Sequence, residues 1–294
     1  MATVGAVPLR GTEQRSEWRR GLRTLTRNRL VMAGLIMSVL IVLVAFFARF
    51  IAPYDPIANN VHAALQRPSA YYYFGTDRFG RDIFSRVVYA SRTSLLVALT
   101  SASLAALLGV TLGLLGGYFG GWVDSVTGRL MDILFSFPAL LLAIAIAALL
   151  GPSVRNAVIA IAVVYAPLFG RVVRGSVLAE RGKEYVEAAR VLGASTPRIV
   201  RRHIFPNILS PLIVQATITF SAAILTEAYL SFLGLGTQPP NPSWGTMLAD
   251  GRTFLETAPW MSIFPGIAIM LAVFSFNILG DGIRDVLDPR ARAD

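Results

Sequence analysis

A polar, arginine-rich segment interrupts a chain that is otherwise apolar: residues 181–208 read RGKEYVEAARVLGASTPRIVRRHIFPNI. Residues 183–192 favour a helix, because Glu184 and Glu187 stand in its first turn, where negative charge complements the helix dipole. Gly193 is placed to end this helix, since glycine readily adopts the left-handed conformation that often follows a last turn. The pattern therefore predicts a first short helix that stops at Gly193.

A second short helix is predicted directly afterwards. Ser195 or Thr196 can cap it, Pro197 suits its first position, and Pro206 is expected to stop it before the next apolar run. Two helices joined so closely favour a rigid, charged knob that docks a partner. A solvated loop between two membrane spans would have a similar composition, so the residue pattern leaves both readings open.

The rest of the chain has the composition of a membrane protein. Of its 294 residues, 54% are hydrophobic and 15% are charged, and the mean hydropathy is +0.59. Residues 93–123 carry no charge, and residues 207–249 carry only Glu227. Runs of this length can cross a bilayer, since a spanning helix needs about 20 residues. Six spans are predicted, at residues 30–52, 93–118, 132–151, 156–174, 207–235 and 258–280.

Basic residues predict the orientation of these spans. The net charge is +10, and seven arginines precede the first span. The positive-inside rule therefore puts the N-terminus in the cytoplasm, and alternation puts residues 175–206 and the C-terminus there as well. Residues 171–206 carry eight Lys or Arg against three Glu, which agrees with this assignment. The external loop at residues 53–92 carries five arginines and fits less well, although longer translocated loops tolerate such charge.

The first 29 residues are predicted to form a basic cytoplasmic tail. Trp18, Leu22 and Leu25 stand at helical spacing opposite arginines, which favours an interfacial helix, although a disordered tail would carry the same orientation signal. The arginines before the first apolar run, and the lack of a small-residue cleavage site after it, indicate a retained anchor rather than a cleaved signal peptide.

Glycines recur every four residues along the second span. Gly109, Gly113, Gly117 and Gly121 would form one smooth stripe on a helix, where a neighbouring helix can approach closely. Gly120 and Gly121 also suit a helix end followed by a turn.

Glu227 is the deepest ionisable residue of the predicted spans. A carboxylate inside a membrane suggests a functional site, here the substrate pathway. A hydrogen bond to a Ser, Thr or Tyr on a neighbouring helix is the structural alternative. Arg49 lies three residues before a span ends and can extend its guanidinium to the interface.

Motifs of self-contained catalysis are missing from the sequence. It has no phosphate-binding loop, no H-E-x-x-H pattern and no cysteine, and its two histidines, His62 and His203, fall on opposite predicted faces of the membrane. These facts argue against a membrane-embedded enzyme. A secondary transporter or channel would need ion-coupling residues or a polar pore within the spans, and a single Glu supports this function only weakly. The sequence does not exclude a membrane scaffold that transports nothing.

The polar segment resembles the EAA signature of ABC-importer membrane subunits. That signature is Glu-Ala-Ala, three residues, Gly, nine residues, Ile, one residue and Leu-Pro. Glu187, Ala188, Ala189, Gly193 and Pro206 match it in register.

His203 and Phe205 depart from the general signature, but RRHIFPNI resembles the version found in dipeptide, oligopeptide and nickel permeases. Residues 74–95, 227–248 and 277–290 also resemble that family, in FGTDRFGRDIFSRVVYASRTSL, EAYLSFLGLGTQPPNPSWGTML and NILGDGIRDVLDPR. The long N-terminal tail is similar to the second, C-type permease of each pair. The resemblance covers the chain from about residue 30.

This resemblance implies an all-α membrane protein with six transmembrane helices, the type I ABC importer (MetI-like) fold with cytoplasmic coupling helices. It implies a non-catalytic permease subunit of a binding-protein-dependent importer for di- or oligopeptides or related solutes, in a prokaryotic plasma membrane. It implies as partners a homologous second permease, one or two ABC ATPase subunits that bind ATP and Mg, and an extracytoplasmic solute-binding protein. No cofactor, metal or nucleic acid is expected on this chain.

The knob would then couple the ATPase to the membrane helices. Its charged residues are expected to contact the ATPase, and its small residues to allow close approach. The coupling residues are Glu184, Glu187, Ala188, Ala189, Arg190, Gly193, Arg198 and Pro206.

The external loops would face the binding protein. The proline-rich stretch before Trp244 is stiff and is expected to expose this tryptophan for docking, although Trp244 also suits an interfacial anchor. In residues 53–92, a short amphipathic helix is predicted, with Thr76 as its cap and Phe79, Ile83 and Phe84 on one side. The importer core domain is expected at residues 93–284, with a cytoplasmic tail at 285–294.

Overall fold

The computed structural model describes residues 28–287, which are nearly all helical; no β-strand occurs among them, and one isolated bridge joins Thr76 to Asp82. Short 3-10 turns occupy Val61–Ala63 and Arg252–Phe254, and a π-helical turn occupies Val200–Ile204. The α-helices are α1 (Arg29–Phe46), α2 (Ala48–Ile51), α3 (Ile83–Phe119), α4 (Gly121–Phe135), α5 (Ala139–Leu150), α6 (Val154–Arg181), α7 (Glu184–Val191), α8 (Thr196–Ile199), α9 (Phe205–Phe232), α10 (Trp244–Gly251) and α11 (Trp260–Leu287). The possible interfacial helix of the N-terminal tail and the C-terminal tail from residue 288 lie outside the described residues.

Five helical runs are long and apolar enough to cross a membrane: α1, α3, α6, the run from α8 through α9, and α11. The sixth span is a bent pair, because α4 and α5 meet at 92°. The span predicted at residues 132–151 is therefore not one continuous helix, since it covers the end of α4, a break and all of α5. Pro138 stands directly before α5, and proline disfavours the helical conformation in the residue before it, which ends α4 at Phe135.

The glycine stripe brings α3 and α6 into close contact, as predicted. A Cβ atom built on Gly109 would lie 2.2 Å from the Ala166 carbonyl oxygen, and one on Gly113 would lie 2.6 Å from the Gly170 carbonyl oxygen. Gly117 meets Val177 in the same way. Gly121 instead has a φ of +56° and open space around it, because it starts α4 directly after Gly120, where the chain turns from α3.

The loop before α3 differs from its prediction. No helix occurs at residues 64–82, and Asp82 caps α3 by accepting a hydrogen bond from the Ser85 N–H at 2.8 Å. Asp77 accepts from the Phe79 and Arg81 N–H groups, which closes a turn, and Gly80 takes a φ of +72° there. The predicted short amphipathic helix is therefore wrong, and Thr76 binds the loop at Ala63 and Gln66 rather than capping a helix.

The loops gather at two opposite ends of the bundle. At one end, the Trp260 indole donates to the Thr76 carbonyl at 3.2 Å, and Phe74 stacks on Phe264 with centroids 3.9 Å apart. At the other end, Arg181 donates to the Gly117 carbonyl at 2.9 Å, close to the polar segment. Alternate loops therefore lie together, as a six-span topology requires.

Candidate functional site

Helices α7 and α8 form the predicted knob. Gly193 has a φ of +79°, and its N–H donates to the Arg190 carbonyl while the Ala194 N–H donates to the Ala189 carbonyl, each at 3.0 Å. This arrangement ends α7 in the way the sequence predicts, because the left-handed residue satisfies the last carbonyls. Pro197 stands in the first turn of α8, also as predicted.

An apolar cluster fixes the knob to the bundle. Val186 of α7, Ile199 of α8 and Ile204 of the π turn are at most 1% exposed and pack with Val173 and Val177 of α6. Burial of such side chains contributes about 1.5–3 kcal/mol each. The knob is therefore a rigid extension of α6 and α9 rather than a solvated loop.

A polar network closes the base of the knob. The Tyr185 hydroxyl donates to the Glu180 carboxylate, and Asn207 donates through Nδ2 to the Tyr185 hydroxyl at 3.1 Å and to the His203 carbonyl at 2.6 Å. Loss of hydration and the neighbouring Glu180 carboxylate raise the pKa of Tyr185 to about 12. Tyr185 therefore keeps its proton at neutral pH. The sequence reasoning missed this network, since no residue spacing connects Tyr185 with Asn207.

The predicted coupling residues lie on the open face of the knob. Glu184, Glu187, Arg190 and Arg198 are exposed and form no ion pair with any residue in 28–287. Ala188 and Gly193 are also exposed, and Ala189 is half-buried. This face therefore carries charges of both signs around small residues, without internal partners.

Two large apolar side chains are exposed at the tip of the knob, and the sequence pattern did not predict them. Val191, the last residue of α7, is 87% exposed, and Leu192, directly after it, is 86% exposed, although Val186 of the same helix is buried. A spacing of five and six residues from Val186 could have indicated that they point elsewhere. Exposed apolar groups inside a charged rim are typical of protein interfaces.

Pro206 does not stop the second helix. The helical run continues from Thr196 to Phe232 through the π turn, with Pro206 in the first turn of α9. The Phe205 N–H donates to the Val200 carbonyl across the wider turn, and Asn207 donates to the His203 carbonyl near the proline. The extra residue in the turn therefore lets the chain pass a proline that lacks an N–H.

Arginines of α6 tie α4 to the root of the knob. Arg174 binds the Asp124 carboxylate with two nitrogens, one of them at 2.7 Å, and Arg171 binds Asp132 at 2.8 Å. The Arg171 guanidinium also lies 3.8 Å from the centroid of the Phe135 ring. Movement of α6 would therefore carry α4 with it. Opposite charges in the two segments were the available signal, but their pairing depends on the fold.

Comparison with known proteins agrees with this geometry. Residues 109–293 match the family described as the binding-protein-dependent transport system inner membrane component. Residues 16–68 match the N-terminal TM domain of oligopeptide transport permease C. The chain belongs to this family of transport permeases. It is thus a membrane transport subunit rather than an enzyme.

Two curated relatives align over nearly the whole permease. The dipeptide transport system permease protein DppC of Alkalihalophilus pseudofirmus is 49% identical over 95% of this chain and 91% of the relative. The glutathione transport system permease protein GsiD of Escherichia coli is 43% identical over 99% of this chain and 97% of the relative.

A solved structure with the same fold is the inward-facing MetNI methionine ABC transporter. It is 21% identical, with a TM-score of 0.56, and the match covers 69% of this chain and 96% of the MetNI chain. This likeness confirms the MetI-like fold of the permease.

Glu227 is sealed inside the permease. It is 1% exposed; Ser231 donates to its Oε1 at 2.7 Å, and the same serine oxygen accepts from the Thr237 N–H at 3.0 Å. In this conformation the Glu227 side chain is closed off from solvent. Its place in a substrate pathway stays a prediction. Through Ser231, which lies on α9 itself, the Glu227 carboxylate is joined to the loop that follows this helix.

Trp244 is buried, so the prediction that it is exposed for docking is wrong. It is 2% exposed, and its indole donates to the Val87 carbonyl at 3.1 Å. Ser243 and Thr246 form a capping box that starts α10 at Trp244 and turns the ring towards α3. The stiff loop positions a packing residue here, because α10 fills the space between α9 and α11.

The sequence predicts that ATP and Mg bind to partner ATPase subunits and that this chain binds no cofactor. Within residues 28–287, no three His, Asp or Glu side chains lie close enough together to hold a metal ion. The expectation that ATP and Mg bind to ATPase subunits stays a prediction.

Proposed function

We propose that this permease couples ATP hydrolysis on separate ATPase subunits to the inward passage of a solute, and that its knob is the coupling element. The observation that carries the proposal is the open face of α7: unpaired charges and small residues surround Val191 and Leu192, on a base that is rigidly packed. Such a surface suits a groove on a soluble subunit, because binding buries the apolar tip and pairs the charged rim.

The long helices supply the route from the knob to the other end of the bundle. The continuous run Thr196–Phe232 contains 37 residues, which corresponds to about 55 Å at 1.5 Å per residue. Helix α6 ends at the knob, next to this run. Its residues Arg171 and Arg174 form ion pairs with Asp132 and Asp124 of α4, so α6 and α4 are linked. Closure of two ATPase subunits would therefore move α6, α4 and α9 together, and would favour one of two orientations of the bundle.

The knob end is assigned to the cytoplasm of a prokaryotic cell, with both termini on the same side of the plasma membrane. The seven arginines before the first span and the basic residues 171–206 support this orientation. The loops that contain Thr76 and Gln238 then face outward and meet an extracytoplasmic binding protein. A homologous second permease completes the membrane part, and the exposed apolar faces of α4 and α5 are available to it or to lipid.

The solute is assigned to the class of dipeptides, oligopeptides and related compounds. The names of the relatives support this class, since one is a dipeptide permease and another a glutathione permease.

Co-purification tests the coupling surface. A tagged permease is extracted from its native membrane, and the proteins that accompany it are identified by mass spectrometry. Val191→Asp combined with Leu192→Asp should lose the ATPase and keep the second permease, because only the knob tip changes. Val61→Asp is the matched control, since Val61 is 75% exposed but lies at the opposite end of the bundle. Retention of the ATPase by the double variant would contradict the proposal.

A further inference from the structure

An open cavity of about 760 Å³ lies beside the first span, at the end of the bundle opposite the knob. Arg49 and Arg92 both line it, from α2 and from α3. Both side chains are exposed, and neither forms an ion pair with another residue in the part of the chain that the structure describes. Asp55 also lines the cavity, and its Oδ1 accepts from the Ile57 N–H at 2.9 Å. The cavity therefore has a net positive charge with two free guanidinium groups.

The position of Arg49 along the first span indicates its depth in the membrane. Twenty residues separate Arg29, where α1 begins, from Arg49, and this distance is about 30 Å at the helical rise. A bilayer has a hydrocarbon core of about 30 Å, so two arginines at this separation stand at its two boundaries. Phe50, which follows Arg49, is 83% exposed and suits contact with lipid. Arg49 therefore lies at the level of lipid headgroups.

The lining of the cavity changes from polar to apolar with depth. Arg92 is the last charge before the uncharged residues 93–123, and Tyr89 lines the cavity one turn before it. Leu96, one turn after Arg92, lines the cavity about 6 Å deeper in the membrane and is 57% exposed. The groove thus offers cations at headgroup level, an aromatic ring beside them and an apolar wall below.

We infer that this groove binds one phospholipid of the outer leaflet, with its phosphate between Arg49 and Arg92 and an acyl chain along Leu96 and Val97. Guanidinium groups suit this role because their planar N–H donors match phosphate oxygens. The amphipathic order of the groove matches a lipid rather than a soluble anion, because a free phosphate would leave the apolar wall without a partner. The site does not depend on the proposed coupling role; only the name of the leaflet rests on the proposed orientation.

Lipid titration tests the site on the purified permease with the subunits that accompany it. The complex is stripped of lipid in detergent, and phosphatidylglycerol is added while bound phospholipid is counted by native mass spectrometry. Arg49→Gln combined with Arg92→Gln should weaken binding of one lipid by about tenfold or more, because hydrogen bonds to a charged group are lost. Arg67→Gln, an exposed arginine of the same end that does not line the cavity, should bind as the wild type does.

A conservative pair and two soluble probes separate the alternatives. Arg49→Lys combined with Arg92→Lys should keep most of the affinity, since both cations remain. Inorganic phosphate should fail to compete with the lipid at equal phosphate concentration. Three results would each overturn the inference: lipid binding by the Gln pair equal to that of the wild type, a loss of binding in the Lys pair equal to that in the Gln pair, or displacement of the lipid by inorganic phosphate. A raised KM for a dipeptide in the Gln pair with unchanged lipid binding would assign the groove to the solute instead, and would also overturn it.

Discussion

The contact between α3 and α6 predicts opposite effects for two Gly→Ala substitutions. Gly109→Ala would place a Cβ atom 2.2 Å from the Ala166 carbonyl oxygen and 2.5 Å from the Phe169 Cβ. Ordinary contact begins at 3.4 Å, so the two helices must separate by about 1.2 Å. Gly175→Ala, in α6, meets nothing within 4 Å.

The magnitudes follow from packing and helix propensity. Overpacking costs about 1–3 kcal/mol, and the upper value applies here because backbone atoms and a Cβ atom obstruct the new methyl group. Alanine in a helix gains about 1 kcal/mol over glycine. We therefore expect Gly109→Ala to destabilise the permease by about 2 kcal/mol and Gly175→Ala to stabilise it by up to about 1 kcal/mol.

Thermal unfolding of the purified permease in one detergent measures both variants. The Tm should fall for Gly109→Ala and should stay level or rise for Gly175→Ala. Solute uptake should also fall for the first variant, since α6 carries the root of the knob. A Tm for Gly109→Ala at or above that of the wild type would refute the close contact.

Three further predictions concern other joints of the permease. Glu227→Ala should destabilise it by about 1–3 kcal/mol, because a buried serine hydroxyl loses its acceptor, and Glu227→Gln should cost less; equal thermal stability of both variants would argue against the buried hydrogen bond. Gly193→Ala should cost about 1–2 kcal/mol through its φ of +79° alone, and hydrogen exchange in α7 should speed up; unchanged exchange would contradict the left-handed turn. Arg174→Met should speed hydrogen exchange in α4 by leaving Asp124 without its partner, whereas Arg129→Met, at an exposed unpaired position, should not; the reasoning fails if both behave alike.

The sequence predicted the features that depend on local pattern. The spans follow from long apolar runs, the close helix contact from a four-residue glycine repeat, and the end of α7 from Gly193 after a helix former. Each of these signals is contained within one helix or one turn, so no knowledge of the rest of the fold was needed.

The features that sequence reasoning missed depend on contacts between distant segments. The proline-rich stretch predicts an exposed Trp244. The residue is buried instead, because α10 turns its indole onto the Val87 carbonyl, a contact that no local pattern indicates. Pro206 was expected to end a helix, but the π turn before it accommodates the missing N–H. The groove at Arg49 and Arg92 joins residues 43 positions apart, which only the packing of α2 beside α3 brings together.

Conversion of ATP hydrolysis into solute movement by the knob is tested by measuring both activities in the same vesicles. Peptide uptake and ATP hydrolysis are measured together in proteoliposomes that contain the whole importer, with wild-type permease or with Gly193→Asp. We expect hydrolysis to persist while uptake per ATP falls sharply, because a charged side chain at Gly193 strains the left-handed turn and spoils the close joint between the knob and the ATPase. Unchanged uptake in the variant, or uptake by the permease in the absence of ATPase subunits, would exclude a coupling role for the knob.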